Sequence, residues 1–157
     1  MNEEGVTRAT QSQASGAYDP VTAGIVRRWW LLTVVSAAQL GVTAALRIFP
    51  LKRVWQGTHR CRPLARFFVR DSSERIAWAI EATGRRLPRP SSCLARAIVA
   101  EMLLDLAEGP VHLYIGVRHT DAGAFQAHAW VMRADRVVVG TPVDGYAPIL
   151  IWTRSIV

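Results

Sequence analysis

The chain has 157 residues, half of them apolar, which is enough to bury the core of one domain without disulfide or metal staples. Nineteen basic residues against twelve acidic ones give a net charge of +7, and Lys52 is the sole lysine. The arginines are scattered, with no recognition helix or aromatic platform among them, so solvated faces between helices are expected rather than a nucleic-acid surface. Cys61 and Cys93 stand far apart in sequence, which gives neither a disulfide framework nor the close pairs of a zinc site, and both are expected to be free thiols.

Residues 1–20 are polar and small and are expected to form a mobile tail ahead of a single domain over 21–157, helical over 21–85 and catalytic over 86–157. The opening carries acidic residues where an export signal carries basic ones and has no apolar run, so the expected location is the cytoplasm. From Trp29 to Leu46 the chain is uncharged and long enough to raise the question of a membrane span. Arg28, Thr33, Ser36, Gln39, Thr43 and Arg47 fall within an arc of roughly 140° at helical spacing, which predicts a helix lying on a protein core rather than a membrane partner, with a membrane-surface role as the minor alternative. Pro50 interrupts, and a short helical stretch from about Leu51 to Trp55 is expected to end at the breakers Gly57 and Pro63.

Asp71, three residues before Glu74, predicts a capped helix over 72–83 closed by Gly84. After the prolines of LPRPSS, the run CLARAIVAEMLLDLAE repeats its apolar residues at helical spacing up to Gly109, with Ser92 as the expected N-cap and Cys93 in the first turn. Beyond Pro110 the period becomes two. VHLYIGVR, FQAHAWVM and RVVVG predict three antiparallel strands, with Val111, Leu113, Ile115 and Val117 on one face of the first. In the second, His128 and Trp130 lie opposite Ala127, Ala129 and Val131. Helices followed by a meander predict an α+β fold in which the Cys93 helix packs across a small antiparallel sheet.

A thiolate attacks carbonyl carbon and a thiol hardly does, so a cysteine nucleophile belongs where negative charge is favoured. The first turn of a helix is such a place, and its unpaired N–H groups can also receive an oxyanion. Cys93 is therefore the expected nucleophile and His128 the expected base, in the helix-then-strand order of papain-like peptidases. Cys61 beside His59 forms a weaker dyad because no helix is expected to follow it. His59, Cys61, His112 and His119 lack zinc-ligand spacing, so neither metal nor cofactor is expected. For the third residue, a two-residue turn at Ala134-Asp135 would set Thr141 opposite His128 with Gly140 beside it. Asp144, folded back by its loop, is the expected partner of the imidazole, with the Thr141 hydroxyl as the alternative.

The Cys-Leu-x-Arg helix start at Cys93, the Ile-Gly-Val-Arg strand and the Ala-His-Ala-Trp-Val strand, in that order over about 90–142, resemble the lasso-peptide leader peptidases. That family has the transglutaminase-like cysteine protease fold, and the resemblance puts Cys93 and His128 in its nucleophile and base positions. The family's acidic third residue falls at Gly140 or Thr141, where this chain has no acid. The resemblance implies a ribosomally made precursor whose leader is cut off and a cyclase that closes the freed core. Residues 1–65 show no strand alternation for a leader-recognition domain, so a separate protein is expected to supply it. Two further readings remain open: a transglutaminase-like acyl transferase, and a basic binding module without catalysis.

Overall fold

The computed structural model describes residues 20–87, 92–120 and 123–154, so the expected tail at 1–19 lies outside the described residues. Four helices, α1 (Pro20–Ile48), α2 (Leu51–Phe68), α3 (Ser73–Arg86) and α4 (Cys93–Leu103), precede four strands, β1 (Val111–His119), β2 (Phe125–Arg133), β3 (Arg136–Val139) and β4 (Ala147–Arg154). The strands form one antiparallel sheet in the order β3-β2-β1-β4, against which α4 packs.

The layering follows from the apolar periodicity. Ala95, Ala97, Ile98, Val99, Leu103 and Leu104 of the α4 segment are sealed from solvent, so this helix is apolar nearly all round and lies between the other helices and the sheet. Val111, Leu113, Ala129 and Val131 project from β1 and β2 into the same core, as the period-two pattern requires. Truncating a fully buried residue such as Ile98 to alanine in a core of this kind costs about 2–5 kcal/mol.

Several boundaries differ from the sequence expectation. α2 runs through both Gly57 and Pro63 to Phe68, because Val54, Trp55 and Thr58 bury one face against the rest of the molecule and tertiary packing outweighs local propensity. Gly84 is inside α3 instead of closing it: a Cβ there would lie 2.6 Å from Cδ of Arg96, so the glycine makes room for that side chain to cross the helix. Ser72, not Asp71, is the N-cap of α3, and Asp71 instead pairs with Arg27 at 3.1 Å and Arg75 at 3.4 Å.

α1 is long and apolar enough to cross a membrane by length and composition. Its buried stripe is Leu31, Val35, Gln39 and Val42. Gln39, expected on the polar arc, is wholly enclosed, its amide donating to the Ile80 carbonyl at 2.9 Å and to Thr83 Oγ1 at 2.8 Å. The polar arc therefore turns partly inward, toward α3, and Val26, Trp29, Trp30 and Leu40 remain exposed.

β4 has no counterpart in the sequence reading, since APILIWTR is apolar without alternation. It pairs with β1 on the side away from β2 and forms an edge. At that end of the sheet, Glu101 is enclosed between Arg62 and Arg154. Burial pushes the Arg154 guanidinium down to about 10, and the charge of Glu101 opposes that shift.

Candidate active site

Cys93 is the first residue of α4, and Ser92 caps it as its sequence predicts: Oγ accepts the N–H of Ala95 at 3.1 Å, and the Ser92 carbonyl accepts the N–H of Arg96. The N–H groups of Cys93 and Leu94 have no acceptor in the helical ladder. The cysteine is half-buried, with its side chain against the core. A negative sulfur or oxygen at this point meets two donors that have no acceptor among the described residues, and the positive end of the helix.

His128 lies on β2 opposite Gly116 of β1. A Cβ at position 116 would meet the Trp130 ring at 2.7 Å and the Ala147 carbonyl at 2.8 Å, so the close approach of these groups requires glycine. The His128 ring lies beside those of Tyr146, at 5.1 Å between centroids, and Trp130, at 6.1 Å. The Arg118 guanidinium covers the Tyr146 ring at 4.8 Å. Stacking restricts the imidazole plane, and one hydrogen bond sets its rotation: Nε2 lies 2.7 Å from the Gly140 carbonyl oxygen. A carbonyl can only accept, so Nε2 carries the proton and the lone pair of the neutral ring is on Nδ1. Nδ1 has no hydrogen bond among the described residues.

The partner of the ring thus differs from the one expected. Asp144 is exposed in a turn with Gly145, Thr141 is exposed as well, and the main-chain carbonyl of Gly140 holds the imidazole. The register explains this. Arg133 pairs with Arg136 and Met132 with Val137, as a two-residue turn demands, but a bulge then sets Val131 opposite Val139 and advances β3 by one residue. Gly140 arrives against Trp130 with φ 95°, and a Cβ there would stand 2.8 Å from the Ala129 carbonyl.

Glu81 of α3 is the residue that sequence reasoning missed. Its Oε1 accepts the Gly140 N–H at 3.1 Å, and its Oε2 accepts Nη1 of Arg96 at 2.9 Å. One carboxylate thereby ties the residue that holds His128 to α4, one turn beyond Cys93. The only signal in the sequence is that Glu81 is the sole acid between Glu74 and Glu101.

No hydrogen bond joins Cys93 to His128 among the described residues. Their connection runs through Gly140, Glu81 and Arg96. Around α4, the Cys93 direction falls between that of Arg96, which turns to Glu81, and that of Leu94, which turns to an apolar cavity between α2, β1 and β4. Cys61 is exposed within α2, away from any helix start.

Four helices, a small antiparallel sheet, a cysteine at a capped helix start and a histidine on the second strand define an α+β fold of the papain and transglutaminase type. The family model described as the transglutaminase-like superfamily matches residues 36–151, from the middle of α1 into β4, and the chain belongs to that superfamily. Its members are in general cysteine proteases and transferases. No curated protein and no solved structure matches the chain.

Proposed function

We propose that this chain is a cytoplasmic cysteine peptidase that removes the leader from a ribosomally made lasso-peptide precursor, guided by a separate leader-recognition protein and followed by a lasso cyclase. The observation that carries the chemistry is the fixed tautomer of His128: Nε2–H is committed to Gly140, which leaves Nδ1 as the basic atom, while Cys93 occupies the capped start of α4. The three motif segments around Cys93, Gly116 and His128 support the choice of substrate.

In the proposed reaction Nδ1 takes the proton of the Cys93 thiol as sulfur attacks the scissile carbonyl. The N–H groups of Cys93 and Leu94 receive the oxyanion. Collapse of the tetrahedral intermediate breaks the C–N bond, and the imidazolium returns its proton to the departing amine, which becomes the N-terminus of the core peptide. Water, deprotonated by Nδ1, then cleaves the thioester to a carboxylate. Catalytic hydrogen bonds that are long in an unoccupied site commonly tighten when substrate closes on it, and Cys93 and His128 are proposed to meet at that step.

The test incubates wild type and Cys93→Ala with precursor and leader-recognition protein and weighs the products. Leader and core masses that sum to precursor plus one water, absent with Cys93→Ala, are the expected result. Cleavage retained by the mutant overturns the proposal, and a product joined to an added amine instead of water establishes acyl transfer.

A further inference from the structure

The outer side of α1 is apolar as well as its inner side. Ile25, Val26, Trp29, Trp30 and Leu40 are exposed. At helical spacing they share an arc of roughly 140° on the far side of the helix from the buried Leu31, Val35, Gln39 and Val42. Those buried residues hold α1 on the protein, so only its outer side is free to meet something else. Trp30 joins this side to the end of α2: its Nε1–H donates to the Phe68 carbonyl at 3.1 Å, and the two rings lie 6.2 Å apart. Leu64, Phe67 and Phe68 of α2 are exposed there, Phe67 by 68% against 67% for Trp29. Four aromatic rings so placed present on the order of 400 Å² of apolar surface, a size at which a patch on a monomer commonly marks a binding face.

The charge of the same two helices has one sign. Residues 20–70 contain nine basic residues and no acidic one. Arg53 and Arg60 recur at helical spacing on the side of α2 that ends in Phe67, and both are exposed. Neither enters an ion pair among the described residues. The Arg70 guanidinium lies over the Phe67 ring at 5.9 Å.

We propose that the outer faces of α1 and α2 form a docking surface for an anionic lipid bilayer, on which the chain lies without crossing it. Tryptophan and phenylalanine rings settle at the headgroup boundary, and arginines reach lipid phosphates while their stems cover apolar surface. A nucleic acid would engage the cations but leave Ile25, Val26 and Leu40 without a partner. An acid-free face across two helices suits a surface of uniform negative charge, which anionic lipid presents. Docking there is independent of the cysteine chemistry: α4 lies between α1 and the sheet, so contact with a bilayer leaves the sheet clear.

The test floats the full chain with phosphatidylcholine vesicles, with and without about 30% phosphatidylglycerol. The anionic vesicles are expected to bind at least about tenfold more protein than the neutral ones, and salt near 1 M is expected to remove the excess. Trp29→Glu with Phe67→Glu is expected to lower binding to the anionic vesicles at least about tenfold at an unchanged melting temperature, because both side chains are exposed. Arg53→Glu with Arg60→Glu is expected to erase the preference for anionic lipid. Wild-type binding that is absent, or equal on both kinds of vesicle, overturns the proposal. So does a dimer, seen by light scattering in a chain that binds no vesicles and abolished by Trp29→Glu with Phe67→Glu, because it assigns the face to a second copy.

Discussion

His128 and Gly140 are joined by a 2.7 Å hydrogen bond from the imidazole Nε2–H to a main-chain carbonyl. A carbonyl fixes the tautomer and rotation of the ring as an acid would, but contributes a dipole in place of a full charge.

The bond separates two substitutions. Asp144→Ala is expected to retain activity within about threefold of wild type, because the exposed carboxylate holds no bond to the ring. Gly140→Ala is expected to lose at least about 2 kcal/mol of stability, since alanine is strained at φ 95° and its Cβ meets the Ala129 carbonyl. Denaturant titration and precursor cleavage measure the two effects.

Glu81→Gln tests the link between the two halves of the site. The amide keeps an oxygen for the Gly140 N–H but loses the charge that anchors Arg96. A fall in kcat of about tenfold with KM nearly unchanged, and with melting temperature within a few degrees of wild type, is the expected outcome, corresponding to loss of one charge-assisted contact. A loss of stability with kcat intact would make Glu81 a structural residue only.

Glu101→Gln is expected to be far more damaging to the fold than to chemistry. The carboxylate is wholly enclosed between Arg62 and Arg154, and its removal leaves two desolvated cations facing each other. Breaking a buried pair in this way costs about 3–5 kcal/mol, which denaturant unfolding would measure.

His59 gives the molecule an acid-sensitive element. Burial, and then the charge of Arg62, hold its imidazole below the ordinary value of 6.5. The unfolded chain therefore binds the proton at higher pH than the folded one. The contribution to stability is full above about 6.5 and is lost as pH falls through the lowered folded value. Melting temperature measured from about pH 7 down to pH 5 should fall, and His59→Gln should flatten the decline. An unchanged slope in the mutant would show that other groups carry it.

Much of this was written in local patterns. The Ser92 cap, the Cys93 helix start, the two-residue turn at Ala134-Asp135 and the alternation of β1 and β2 depend on neighbours a few residues apart, and each was legible in the sequence. What failed did so where distant segments decide: α2 passes through Gly57 and Pro63 because its buried face holds it, and Gln39 turns inward because Ile80 and Thr83 offer its amide partners. The apolar β4 shows no period, and only pairing with β1 makes it a strand.

By itself, the sequence determined the α+β class, the place of Cys93 at a helix start and the place of His128 on the second strand, because capping and periodicity are local properties. The tertiary structure alone decided what the histidine's ring bonds to. A one-residue bulge in β3 takes Thr141 out of register with His128, the Gly140 carbonyl holds the ring, and a carboxylate 47 positions before the histidine, Glu81, fixes Gly140 from another element. Neither a bulge nor a contact between α3 and the end of β3 has a local signature, since both follow from how the sheet twists beneath the helices.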